Sequence, residues 1–407
     1  MSRILIVTSG PLCENPRPQK EASSLAAIGH DVTVLTVRTT SSAEAADLGL
    51  MANAMFRRET VDMAEGFATS AKTIFARRLR VWLARKAARL GWESAATLGP
   101  TNVMLDHAVR YRADLTIVHT EGPLWVGTQL IGLGRAVAAD IEDWHSQDLR
   151  PEDRRGRPIR LLRSVERTLL QRAAYCSTTS DALSDALHAC YGGPRPIVIG
   201  NTFPLQADPG TRNTAIPSFF WFSQTIGPGR GLEPFFQAFA AMRAPANVVL
   251  LGTLRADFRA HLLALLPPPK RAAITFLKVV PPEALPSVIA RHDIGLALEQ
   301  RAICNRDLTV TNKILQYLNA GLAVVATNTT GQREVLSRAL GSGLLIDLND
   351  PGAVATVLDQ LAAEPKRVAT MGAAARAAAE NYYCWEKTAP MLLDQVTRSI
   401  AAAHAPR

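Results

Sequence analysis

The stretch Asp307-Leu-Thr-Val-Thr-Asn-Lys-Ile-Leu-Gln-Tyr-Leu-Asn-Ala-Gly-Leu-Ala-Val-Val-Ala326 decides the fold. A polar loop leads into a helix over 312–319, Gly321 ends it, and a buried β-branched strand follows at 322–326. Thr311 or Asn312 can cap the helix. Lys313 in its first turn opposes the macrodipole, which favours anions there. The mismatch is resolved if a phosphate binds, because free N–H groups and a cation then converge on it. Otherwise Lys313 simply points to solvent.

The same alternation extends outward from this stretch. Strands are predicted at 219–222, 247–251, 273–277 and 294–298, and helices at 233–242, 285–291, 351–363 and 365–381. An earlier series has strands at 4–8, 31–37, 115–119, 136–141, 175–178 and 196–199, with a helix over 20–28 that Gly29 closes. Between the two series, 201–218 holds Pro204, Pro209, Gly210 and Pro217 and reads as a linker. A chain of 407 residues exceeds the roughly 250–300 residues at which a single core stops growing. The expectation is two consecutive parallel α/β domains facing each other across a cleft, with ligands beyond the carboxyl ends of the strands.

Lys plus Arg is 45 against 36 for Asp plus Glu, and 47 % of residues are hydrophobic. That is a globular composition, which excludes disordered and collagenous classes. Five scattered cysteines with no C-x-x-C pair argue against a disulfide framework or a thiolate zinc site. The apolar run at the start is too short for a signal peptide, and no window reaches ~18 apolar residues. The expectation is a cytoplasmic protein, with peripheral attachment to the inner face of the membrane as an extension of it. The positive charge is concentrated: 66–92 contains Lys72, Arg77, Arg78, Arg80, Arg85, Lys86 and Arg89 and no acid. On a helix, Phe75, Leu79, Trp82, Leu83 and Leu90 share one face, with Arg78 and Arg89 at its edge. Such a helix suits an anionic membrane surface, reached between Lys72 and Arg89, or an anionic acceptor. The plainer reading puts its apolar side in the core. Nucleic acid is not expected, since no aromatic-rich strand or known motif accompanies the charge.

Thr311 to Thr327, followed by Gly331-Gln-Arg-Glu-Val335, resembles the nucleotide-sugar-binding core of family 4 glycosyltransferases of the GT-B fold. Other segments resemble the family in order and spacing: Asn15-Pro-Arg-Pro-Gln-Lys-Glu-Ala22, Gly29-His-Asp-Val-Thr-Val-Leu35, Glu166-Arg-Thr-Leu-Leu with Thr178-Thr-Ser180, Trp221 to Glu233, and Tyr383-Cys-Trp-Glu386. The resemblance implies an acceptor domain over 1–203, a donor domain over 217–382, and a final helix near 383–407 that packs back on the first domain. It implies transfer of a sugar from a UDP- or GDP-sugar with retained configuration. No cofactor and no divalent metal are implied, and the chain has no D-x-D. Cations and N–H groups must then neutralise the diphosphate. Arg230 occupies the family's basic position before Gly231. Gln224 stands where many members carry arginine, and Leu308 and Gln316 stand at the two glutamate positions. Gln316 can still bond ribose hydroxyls, whereas Leu308 cannot replace a carboxylate. Lys313 is the candidate to supply the charge that Gln224 lacks, beside Asn312 at the helix start.

In the first domain, His119 ends a buried strand, where it would face a ligand; the family has a histidine at a similar place that reaches the transferred sugar. Glu121 would orient it or bind an acceptor hydroxyl. The cluster Asp140-Ile-Glu-Asp-Trp-His-Ser-Gln-Asp148 follows a strand. Its Asp143 and His145 either act on the acceptor hydroxyl or serve as helix caps and partners for the arginines after Arg150. A metal on His145, Asp143 and Asp148 would match no familiar ligand spacing. Ser9 and Gly10 lie in the first strand-to-helix loop, where N–H groups approach phosphate or sugar. Arg17 and Lys20 add charge there or sit on the helix surface. The leading reading is a retaining glycosyltransferase acting on a glycan or lipid-linked acceptor in cell-envelope or polysaccharide biosynthesis. The alternatives are a sugar-nucleotide epimerase on the same fold and a catalytically degenerate binding subunit.

Overall fold

The structure, a computed structural model, describes residues 1–207 and 216–404. Two compact units result, one of residues 1–199 with 389–407 and one of 200–388. Unit 1 carries strands β1 (Arg3–Val7), β2 (Asp31–Arg38), β3 (Arg57–Asp62), β4 (Leu115–His119), β5 (Val137–Asp140), β6 (Tyr175–Thr178) and β7 (Ile197–Val198). Unit 2 carries β8 (Ser218–Ile226), β9 (Asn247–Leu254), β10 (Ile274–Leu277), β11 (Ile294–Ala297), β12 (Ala323–Thr327) and β13 (Gly343–Ile346). The sheet orders are β3-β2-β1-β4-β5-β6-β7 and β10-β9-β8-β11-β12-β13, with every pair parallel. Each sheet is therefore Rossmann-like, and the chain reverses its direction of travel between β1 and β4 and between β8 and β11.

The central strands are buried on both faces, as Leu115–His119 and Ala323–Thr327 are throughout, which is why they read as continuous apolar runs. Strand β8 shows the period of two: Phe219 and Trp221 enter one core cluster, and Phe220 and Phe222 the other. Gly295 on β11 leaves room for Tyr317, whose ring would lie 2.3 Å from an added Cβ. The sequence reading missed β3 and β13, both at sheet edges. Arg-Arg-Glu-Thr-Val-Asp is too charged to resemble a buried strand.

Two expectations are corrected. The start of the predicted linker belongs to unit 2: Leu205 N donates to the Glu386 carboxylate at 3.2 Å, and Gln206 N to Asn319 Oδ1 at 3.0 Å. Its portion at 208–215, with Pro209 and Gly210, lies outside the described residues. The basic helix, Ala71–Ala88, does not turn its bulky face to the core. It buries only the stripe Ile74, Val81 and Ala88, at seven-residue spacing. Phe75 is 65 % exposed, Trp82 55 %, Leu83 53 % and Leu90 81 %, so the plainer reading of this helix fails. Among the described residues no helix is long and apolar enough to cross a membrane. All five cysteines are free.

Candidate active site

In unit 1 the register pairs His119 with Asp140 across β4 and β5. The helix Pro16–Ala27, capped by the Asn15 side chain on Arg17 N, brings Arg17 and Glu21 to them. Arg17 Nη2 donates to Asp140 Oδ1 at 2.6 Å, its Nε to the same carboxylate, and its Nη1 to the Ile199 carbonyl at 2.7 Å. His119 Nδ1 lies 3.0 Å from Asp140 Oδ2 and Nε2 lies 3.0 Å from Glu21 Oε2, ion-pair distances without hydrogen-bond alignment. Ser177 Oγ donates to Asp140 at 2.7 Å. All four charged residues are buried to 1 % exposure or less. Two cations face two anions, which is what makes burial of the set tolerable.

This corrects the expectations for His119 and Arg17. Neither presents surface to a sugar or phosphate; each balances the buried carboxylates. Burial alone would lower the His119 pKa, but Glu21 and Asp140 raise it to about 10. Burial likewise works against the Asp140 carboxylate, and Arg17 and His119 hold its pKa well below the usual range. Two neighbours, Glu142 and Lys20, are shifted toward neutrality. Burial and Asp140 raise Glu142 to about 7. Burial and Arg17 bring Lys20 down to about 7.

Glu121 does not orient His119. It opens the helix Glu121–Gly132 and receives Arg157 through Nη1 at 3.0 Å and Nη2 at 2.6 Å. Arg157 Nη2 also donates to Asp148 Oδ2 at 3.0 Å, and His145 Nδ1 sits 3.7 Å from Glu121 Oε1. His145 is buried and Asp143 half-buried. The sets Glu21/His119/Asp140 and Glu121/His145/Asp148 have potential ligand atoms within 4.8 Å of one another. Each set also holds an arginine, Arg17 or Arg157, paired with one of its carboxylates. Ser9 N donates to Thr120 Oγ1 at 3.0 Å. Thr120 is held at φ 64°, an unusual backbone for a residue with a Cβ. Gly10 has φ 84°.

In unit 2 the residues gather just past β11 and β8. Glu299, two residues beyond β11, accepts from Lys313 Nζ at 2.7 Å and from Thr311 Oγ1 at 3.4 Å. Burial raises the Glu299 pKa, but Lys313, then Arg306 and Arg230, bring it below the ordinary value. Arg230 is itself lowered, by burial and by Arg306. Arg306 Nη1 donates to the Gly229 carbonyl at 3.2 Å. Gly231, the N-cap of Leu232–Ala241, has φ 76°, and a Cβ there would lie 2.6 Å from Leu298 O. Asn312 opens the helix Asn312–Asn319. Gln316 is half-buried, with no side-chain hydrogen bond among the described residues, and Gln224 is exposed at an irregularity of β8. Lys313 is thus committed to Glu299 rather than free for an anion. Asp307, next to Leu308, receives Thr330 N at 3.1 Å and Thr330 Oγ1 at 2.9 Å. Glu299 escaped the sequence reading because its partners lie 12 and 14 positions away.

The comparisons with known proteins agree with this architecture. Residues 15–202 match the family described as glycosyl transferase 4-like domain, and residues 217–364 that described as glycosyl transferases group 1. The chain belongs to the family 4 glycosyltransferases of the GT-B fold. Among solved structures, it is similar to sucrose-phosphate synthase from Thermosynechococcus elongatus, at 15 % identity and a TM-score of 0.73, covering 99 % of this chain and 100 % of that one. It is similar to Anabaena HepE solved with UDP-glucose, at 14 % identity and a TM-score of 0.67, with the same coverage. A protein described as a UDP-N-acetylglucosamine 2-epimerase from Listeria monocytogenes follows at 13 % identity and a TM-score of 0.60, covering 100 % of this chain and 98 % of that one. At such identities the likeness is one of fold. No protein among those of curated function matches the sequence.

Proposed function

We propose that the chain transfers a sugar from a UDP- or GDP-sugar to a glycan or lipid-linked acceptor, with retained configuration and without a divalent metal. The observation that carries this reading is the cluster around Glu299. Arg230, Arg306 and Lys313 surround one carboxylate, a net charge of 3 − 1 = +2 beside the N-terminus of Leu232–Ala241. That charge, with free N–H groups, suits a leaving diphosphate. Arg230 and Arg306 contact the phosphates directly, and Lys313, fixed by Glu299, supplies charge from behind them. Gly231 lets the backbone approach, Asn312 and Gln316 meet the nucleoside, and Gln224 borders it. The HepE complex with UDP-glucose supports a UDP-sugar as the first donor to try.

On unit 1, Glu142 and Asp143 meet the acceptor hydroxyl, with Glu142 the group whose protonation changes near neutrality. Glu121 and His145 line the acceptor side through Arg157. The exposed apolar face of Ala71–Ala88, with its cations, rests on an anionic membrane surface, and the pathway is cell-envelope or polysaccharide synthesis. The experiment incubates the protein, with EDTA, with UDP-glucose or GDP-mannose and a lipid extract, and follows nucleoside diphosphate release. Acceptor-dependent release supports transfer. Conversion of the donor without acceptor would point to the epimerase reading, and no turnover despite nucleotide binding to the degenerate subunit.

A further inference from the structure

The geometry points to a ligand subsite in unit 1 beneath the basic helix, and we propose that it takes the phosphate head of a lipid-borne acceptor. The inference rests on the acceptor reading above and names its chemical class. A pocket of about 390 Å³ lies at the carboxyl ends of β1, β2 and β3. Its lining includes Ser9 and Gly10 from the loop after β1, and Arg78, Val81, Trp82 and Arg85 from Ala71–Ala88. At 100° per residue, Arg78 and Arg85 point within roughly 20° of each other. They stand on the shoulder between the buried stripe through Val81 and the exposed face of Phe75, Leu79 and Leu83.

Each guanidinium is fixed by its Nε on a backbone carbonyl, Arg78 on Met63 at 2.7 Å and Arg85 on Thr97 at 3.4 Å. The Nη atoms of Arg85 have no protein partner among the described residues, and Arg78 Nη1 has only Glu65 at 3.7 Å. Two pre-oriented guanidinium forks suit phosphate oxygens. Trp82 both lines the pocket and is 55 % exposed, so it joins the cationic pocket to the outer apolar face. An anion without a tail would leave that face unused. An amphiphile fills both, with its head between Arg78 and Arg85 and its chain along Trp82 and Leu79. The 66–92 stretch, with seven cations and no acid, supplies the matching long-range attraction.

The test uses the full chain and dodecyl phosphate below its critical micelle concentration, against inorganic phosphate and dodecyl maltoside, by isothermal titration. Wild type should bind dodecyl phosphate at least tenfold more tightly than either comparator. The double variant Arg78→Gln/Arg85→Gln should lose at least tenfold, and Trp82→Ala should weaken binding by itself. The Tm shift caused by UDP, a readout of unit 2, should be unchanged in both variants and certifies their folding. Equal affinity for inorganic phosphate, or undiminished binding in the double variant, would overturn the proposal. Failure of the glycosyl-transfer reading shows separately, as absence of acceptor-dependent nucleoside diphosphate release by wild type.

Discussion

At the residue scale, the buried set of Arg17, Glu21, His119 and Asp140 determines how unit 1 responds to substitution and to pH. Replacing Arg17 by leucine leaves Asp140 and Glu21 with one cation, His119, between them. Loss of one partner of a buried pair costs about 3–5 kcal/mol, so Arg17→Leu should unfold unit 1 well before wild type in a urea titration; an unchanged midpoint would contradict the arrangement. His119 makes a pH prediction. Its pKa rises from 6.5 unfolded to about 10 folded, so its contribution is complete below pH 6.5 and is lost as pH rises through 10. The Tm gap between wild type and His119→Gln should therefore narrow steadily from pH 6.5 to 10. Lys20 drifts the opposite way, its folded pKa lowered to about 7, but it is present in both proteins and drops out of the difference. A gap independent of pH would show that His119 is neutral. The position of His119 at a strand end was legible in the sequence. Its partners were not, because Glu21 and Asp140 lie far from it along the chain and meet it only through the sheet register.

At the scale of elements, the strands that build each core were legible because double burial makes them uniformly apolar. The edge strand β3 was not, since Arg-Arg-Glu-Thr-Val-Asp is mostly charged, nor was β13, only four residues that open on a glycine. The basic helix shows the limit of a periodic pattern. Its apolar face was correctly grouped, but the pattern cannot say which way a helix with two usable faces turns, and three smaller residues won the core. Within unit 2, β11 depends on Gly295 to admit the Tyr317 ring, whose hydroxyl donates to Leu296 O at 3.2 Å. Gly295→Ala should destabilise unit 2 by about 1–3 kcal/mol through overpacking. Adding Tyr317→Leu should recover part of the loss; a neutral single variant would show that the contact is loose.

At the scale of the whole molecule, the GT-B class followed from the order of modest motifs along almost the entire chain, none decisive alone. The proposed donor site was half legible: Arg230 and Gly231 were named from the sequence, while the counter-charge Glu299 emerged only when β11 and the helix Asn312–Asn319 came together. The membrane reading belongs to this scale as well. The chain should co-sediment with vesicles rich in phosphatidylglycerol at low salt and leave them as salt screens the surface charge. Leu79→Ser/Leu83→Ser should weaken that binding about tenfold by removing apolar area. Binding to neutral vesicles as strong as to anionic ones would contradict the electrostatic part.

The central claim is a working diphosphate site on unit 2. The most direct measurement is the binding of UDP and GDP, with EDTA present, to wild type and to Arg230→Ala. One nucleotide should raise the Tm of wild type and bind the variant about 10–100-fold more weakly, as expected for loss of a charge-assisted contact of roughly 1.5–3 kcal/mol. Equal binding by the variant, or no binding of any nucleotide to folded wild type, would contradict it.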